Sequence, residues 1–165
     1  MTREPDDRQE RPVIRPDEHR IRVFVYGSLL PGLSNHALVR PFVRSVRPGR
    51  IAGRLVDAGP YPAVVLPNAP SLTGGEPKVR GLWLDIDAEG LPALDELEDF
   101  RGIEALNDYE RVWTTDADDP SVSGWVYVWP DDRGCPPAAA DWWPDALRRR
   151  QAAESSGNRR IRRRE

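Results

Sequence analysis

Glu98 is the residue whose type and spacing most invite chemistry. It ends the run Leu91-Pro92-Ala93-Leu94-Asp95-Glu96-Leu97-Glu98. At about 100° per residue, a helix there carries Leu91, Leu94 and Leu97 on one face. Glu98 follows Leu94 by four residues and Leu91 by seven, so it shares that face, while Glu89 and Glu96 point to solvent. A carboxylate on a core-facing stripe must find partners or take up a proton. Two fates are open. It bends out to water or pairs with an arginine such as Arg111, or it keeps a raised pKa and works as a general acid/base.

The second candidate is the loop Tyr26-Gly27-Ser28-Leu29-Leu30-Pro31-Gly32. Gly27 and Gly32 permit left-handed backbone and close approach of a ligand. Consecutive N–H groups in such a loop can cradle a carboxylate or a developing oxyanion. The same residues also suit an ordinary strand-ending turn. The loop lacks the Gly-Lys-Ser/Thr ending of a Walker motif. It is not a nucleophile elbow either, because Leu30 stands where that turn needs glycine. A Ser28 nucleophile with His36 as base defines a hydrolase alternative. A non-catalytic module binding a small molecule or a partner is the other.

These residues need elements to hold them. Arg22 to Tyr26 is a β-branched and aromatic run that reads as a buried strand. Ser34 can cap a short helix through Ala37, Leu38, Val39 and Phe42, disturbed by Pro41. Arg50–Asp57 and Ala63–Leu66 read as strands on either side of Gly59-Pro60-Tyr61-Pro62, and residues 67–77 as a loop. Val79–Ile86 alternates as a strand, and a helix from Ala88 to Asp99 takes Asp87 as its cap. Tyr109–Thr115 and Ser123–Trp129 complete the strands. Trp142 and Trp143, ahead of Ala146 and Leu147, predict a short helix packed on the body beside the pocket, with Pro144 in its first turn. This order implies an α+β fold with a curled, mixed or antiparallel sheet.

Apolar residues concentrate in the middle of the 165-residue chain. Residues 1–20 hold five Arg and six acids, and residues 148–165 hold eight Arg against Glu154 and Glu165. Neither end offers enough apolar area to offset the entropy of ordering it. The expected organisation is a disordered tail over 1–20, one domain over 21–147 and a disordered Arg-rich tail over 148–165. The middle segment carries 11 basic and 19 acidic residues, which argues against nucleic acid on its surface. One cysteine, Cys135, and two histidines, His19 and His36, offer no disulfide framework and no His/Cys metal site. With no long apolar run and no leader-like start, the chain is expected to be cytoplasmic, without membrane contact, metal or cofactor.

Read in order, these segments resemble the gamma-glutamylcyclotransferase-like superfamily. Val23-Phe24-Val25-Tyr26-Gly27-Ser28-Leu29 is similar to its opening strand and Tyr-Gly-Ser/Thr-Leu loop, and Gly32 with Asn35-His36 to its gamma-glutamylamine branch. Gly59-Pro60-Tyr61-Pro62-Ala63 resembles its Gly-x-Tyr-Pro segment, and Val79-Arg80-Gly81-Leu82-Trp83 the strand before its second helix. Leu94-Asp95-Glu96-Leu97-Glu98 matches Leu-Asp-x-x-Glu, whose last acid is the family's catalytic glutamate. Tyr109-Glu110-Arg111-Val112 matches the Tyr-x-Arg strand that follows. Asp99 departs from the glycine often found after the glutamate, and Phe100–Asp108 is longer than in the shortest members. The resemblance implies a small curled barrel with flanking helices. It also implies 5-oxoproline formation from a small γ-glutamyl compound without a cofactor. Glu98 would move the protons, Tyr26, Gly27, Ser28 and Leu29 would bind the glutamyl group, and Tyr109 would be a substrate contact or a core aromatic.

Overall fold

The computed structural model describes residues 19–68, 74–98 and 108–162. The expected N-terminal tail, apart from its last two residues, lies outside them, as does Asp99. Seven strands and three α-helices occur among the described residues: β1 (Arg20–Val25), α1 (His36–Val39), β2 (Val43–Ala52), β3 (Arg54–Asp57), β4 (Pro62–Val65), β5 (Lys78–Asp87), α2 (Leu91–Leu97), β6 (Glu110–Thr115), β7 (Ser123–Val128) and α3 (Trp143–Arg162). Five strands form one mixed sheet in the order β2-β5-β1-β7-β6. β1 runs antiparallel to β5 and parallel to β7, and β3 pairs with β4 in a separate hairpin. The α+β architecture with a curled sheet and flanking helices is the one expected. No described helix is long and apolar enough to cross a membrane.

Period-two alternation explains the position of β1. Val23 and Val25 enter one apolar cluster with Val39 of α1 and Leu94 of α2. Phe24 and the following Tyr26 enter a second with Trp83, Trp143 and Ala146. The strand is therefore buried on both sides, and the loop that follows it starts from a rigid base. The hairpin is shared too: Val56, Ala63 and Val65 join the first cluster, Leu55 and Val64 the second.

Several boundaries differ from those expected. The strand expected over 50–57 is two strands, divided at Gly53, whose φ of 151° suits glycine. β2 starts earlier, at Val43, and contains Pro48; its mostly exposed residues carry no apolar alternation that a sequence reading could detect. Proline fits there because β2 is an edge strand. Before α2 comes a single 3₁₀ turn over Ala88–Gly90. Asp87 makes no capping bond, because its carboxylate takes Arg44 instead. α1 starts at His36 behind Asn35, without a cap from Ser34. The largest correction is at the C-terminus. Residues 148–162, expected to be disordered, continue α3 from the turn that Trp143 and Ala146 anchor. Once an anchored turn exists, extending it avoids the cost of nucleation. Trp143 packs in the second cluster and does not line the pocket described next.

Candidate active site

α2 is seven residues long, and Glu98 is its C-terminal cap, with φ −84° and ψ 3°. Leu94 is 1% exposed and fixes the helix on the core. The Glu98 N–H donates to the Leu94 carbonyl (3.0 Å), and the Glu98 carbonyl accepts from the Tyr109 N–H (3.2 Å). The acid therefore sits between the end of α2 and the entry to β6. Its side chain is part-buried and lines a cavity of about 390 Å³. Burial pushes the Glu98 carboxyl up to about 7, and the charge of Asp108 adds to the rise. Among the described residues no basic side chain pairs with it. Arg111, the partner considered from sequence, holds both oxygens of Asp95 at 2.9 and 2.6 Å.

The loop after β1 forms another wall, with Tyr26, Gly27, Ser28 and Leu29 all lining the cavity. The Leu30 N–H turns back to the Gly27 carbonyl (3.0 Å), and the Asn35 N–H donates to the Ser28 carbonyl (2.9 Å). Among the described residues, no loop or turn carbonyl accepts from the N–H groups of Ser28 and Leu29. Gly27 is favoured by close approach, since a Cβ there would lie 3.0 Å from Cγ and 3.1 Å from Cδ of Pro62. Gly32, at φ +83°, supplies the left-handed turn. Tyr26 turns its hydroxyl away into the fold, donating to the Tyr127 carbonyl (2.6 Å) and accepting from the Val64 N–H (3.2 Å). Burial, helped by the charge of Glu98, pushes this phenol above its ordinary value.

Ser28 Oγ accepts from Nδ2 of Asn35 at 2.9 Å. His36 donates from Nδ1 to the Leu29 carbonyl (2.8 Å) and does not line the cavity. The imidazole braces the loop from behind, so the Ser28/His36 pair lacks the contact a hydrolase nucleophile needs. Tyr109 is both a core aromatic, 6% exposed, and a cavity wall. Its hydroxyl donates to the Pro62 carbonyl (2.8 Å), which ties it to the β3–β4 turn. Burial raises this phenol as well.

The cavity thus gathers all six residues expected from sequence. It also holds residues that sequence reasoning missed. Tyr61, at the hairpin tip, lies 6.3 Å from Tyr109 between ring centroids. Tyr127 lines the cavity and donates to Oδ1 of Asp95 at 2.6 Å. Asp108 also lines it and pairs with Arg133 at 2.7 Å. Tyr61 had a signal, as the tyrosine of the Gly-x-Tyr-Pro match. So did Asp95, which holds Tyr127 from outside the cavity lining and is the second residue of the Leu-Asp-x-x-Glu match. Tyr127 and Asp108 had none, because their partners are distant in sequence. Among the described residues no cluster of three or more His, Cys, Asp or Glu is placed to hold a metal ion.

Residues 23–145 match the family described as gamma-glutamyl cyclotransferase, AIG2-like. The chain belongs to this family. It is accordingly an enzyme of the gamma-glutamyl cyclotransferase type. A relative from Niallia circulans, gamma-L-glutamyl-butirosin B gamma-glutamyl cyclotransferase, is 32% identical over 123 residues, covering 73% of this chain and 74% of its own. The fold is shared with an uncharacterised protein of Pyrococcus horikoshii (TM-score 0.58, 15% identity, 80% of this chain and 97% of that one). It is also shared with an Arabidopsis thaliana protein solved in solution (TM-score 0.53, 22% identity, 86% of this chain and 81% of that one). The family match spans β1 to the start of α3, and so contains the cavity and Glu98.

Proposed function

We propose that the enzyme cyclises a small γ-glutamyl amide, releasing 5-oxoproline and a free amine or amino acid, with Glu98 as general acid/base. The supporting observation is a part-buried carboxyl with a pKa near 7, facing the same cavity as a loop with available amides. The substrate's α-amino nitrogen attacks its own γ-carbonyl carbon. A C–N bond forms in the five-membered ring, and the C–N bond to the leaving amine breaks. Glu98, as carboxylate, takes a first proton from the α-ammonium, which frees the nucleophile, and passes it to the leaving nitrogen. The second proton, lost as the ring nitrogen becomes the lactam N–H, follows the same route, so that the amine departs as its ammonium ion. A group titrating near neutrality is suited to both transfers.

The nucleophile belongs to the substrate, so this chemistry requires no protein nucleophile. Holding the extended glutamyl chain in its cyclising conformation is the main task, and such preorganisation is worth on the order of 7–11 kcal/mol. The N–H groups of Ser28 and Leu29 suit the substrate's carboxylate or the developing oxyanion. Tyr26 shapes that loop from within, Gly27 lets it lie against Pro62, and Tyr109 supports the facing wall. The Niallia circulans relative is named for a γ-L-glutamyl compound, so γ-glutamyl amides are the first class to assay. Incubation with γ-glutamyl amines and γ-glutamyl dipeptides should yield 5-oxoproline, and acetylating the substrate's α-amino group should abolish turnover. Release of free glutamate instead would refute cyclisation.

A further inference from the structure

α3 is tied to the β3–β4 turn behind the cavity wall through Arg150. Trp143 and Ala146 are each 2% exposed, and Leu147 packs beside them. Arg150 lies on the same stripe, seven residues after Trp143. Residues 151–158 beyond it are exposed, apart from hydrogen bonds within the helix itself. Arg150 also lies past residue 145, where the family match ends.

Nη1 of Arg150 donates to the Gly59 carbonyl at 2.7 Å and to Oδ1 and Oδ2 of Asp57 at 3.1 and 3.3 Å. The guanidinium carbon lies 5.6 Å from the centroid of the Trp143 ring, which helps to aim it. Asp57 ends β3, and its Oδ1 also accepts from the Gly59 N–H at 2.8 Å. Gly59 sits at φ +93°, and the Ala58 N–H donates to the Tyr61 carbonyl at 3.1 Å. One cation therefore gathers the carboxylate and the carbonyl at the base of the β3–β4 turn. That turn delivers Pro60, Tyr61 and Pro62 to the cavity wall.

We propose that Arg150 is a positioning residue for substrate binding, clamping the Asp57–Gly59 turn from outside and so fixing the Pro60–Pro62 wall. This rests on the reading that the cavity takes a γ-glutamyl substrate. The ion pair is partly solvated, with side chains 35% and 20% exposed, so its share of global stability is small. Its effect is local order. A looser wall weakens ground-state and transition-state binding alike, which raises KM and spares kcat.

The test compares the full-length protein with Arg150→Met, which keeps bulk without charge, and with Arg150→Lys. Substrates are γ-L-glutamyl-n-butylamide and γ-L-glutamyl-L-alanine, read as 5-oxoproline released. Arg150→Met should raise KM about three- to tenfold with kcat within about twofold. Lysine should recover most of the loss, since a single nitrogen makes all three contacts. Amide hydrogen exchange at Ala58 should quicken in Arg150→Met while that of β1 stays unchanged. Unchanged exchange at Ala58 overturns the clamp whatever the kinetics do. Faster exchange with unchanged KM, or a matched fall in kcat, overturns the role in substrate binding. A wild-type protein that forms no 5-oxoproline defeats the function proposed above and the substrate-binding part of this proposal. Exchange then still decides the clamp by itself.

Discussion

Glu98 sits where stability and the proposed chemistry pull in opposite directions. Its folded pKa, about 7, stands above the ordinary 4.5. Between those values the folded state holds a proton that the unfolded chain releases, so stability falls as pH rises through that window. Ionised Glu98 thereby costs up to roughly 3 kcal/mol above pH 7, less whatever water in the cavity offsets. Glu98→Gln should fold normally and be at least as stable as wild type at pH 8 in urea unfolding. Its 5-oxoproline formation should drop about 10²–10⁴-fold, because the amide transfers no proton. Glu96→Gln, on the exposed side of the same helix, should change neither measurement. Wild-type kcat/KM should rise with pH through about 7 as Glu98 becomes the base. Asp108→Asn removes a charge that raises this pKa, so the rise should move to lower pH. An unmoved profile would mean that another group titrates.

Among the elements, the strands that bear the site were legible and the edges were not. β1, β5, β6 and β7 alternate or run apolar between glycine- and proline-rich turns, and the structure keeps them within about two residues of the expected limits. The first half of β2 was hidden because an edge strand can be polar throughout. Its order comes from the ladder with β5, from Val43 opposite Ile86 onward, whose partners are far away in sequence; the exposed pair of Arg47 with Asp119 adds little. Asp116 organises the same corner. It is 8% exposed and accepts from Trp83 Nε1 (2.8 Å) and from the N–H groups of Arg50 (3.0 Å), Asp118 (2.8 Å) and Asp119 (2.9 Å). Burial alone would raise its pKa, but the bond from Trp83 and those from the three amides together hold it below 3.8. Its contribution is thus complete above 3.8 and is lost as pH falls through the lower folded value. Asp116→Ala should destabilise by about 3 kcal/mol at pH 7, since buried donors lose their acceptor. Unfolding in urea from pH 5 to 2 should show the penalty shrinking with acid. A penalty that stays constant would place the energy in packing instead.

Across the whole molecule, composition marked where the core is but not where order ends. The Arg-rich sequence after Leu147 shows no apolar period, yet it is helical because Trp143 and Ala146 hold the first turn of α3 in the core. Legible order there stopped at the last apolar residue, and Arg150 escaped notice because both its partners lie in the β3–β4 turn. The helix should therefore divide sharply in energetic weight. Trp143→Ala should cost about 3–5 kcal/mol, the range for removing a buried aromatic. Deleting residues 155–165 should leave the melting temperature and 5-oxoproline formation unchanged, because residues 155–158 are exposed and the segment holds one sizeable apolar residue, Ile161. The rival expectation is electrostatic. The acidic middle segment could draw the basic helix end onto itself, in which case deletion would alter turnover. Raising salt would then mimic the deletion, since exposed charges are screened within about 8 Å at physiological ionic strength. Equal turnover with and without residues 155–165, at low and high salt alike, would exclude that attraction. Arg150 would then be the point at which α3 stops contributing to the enzyme.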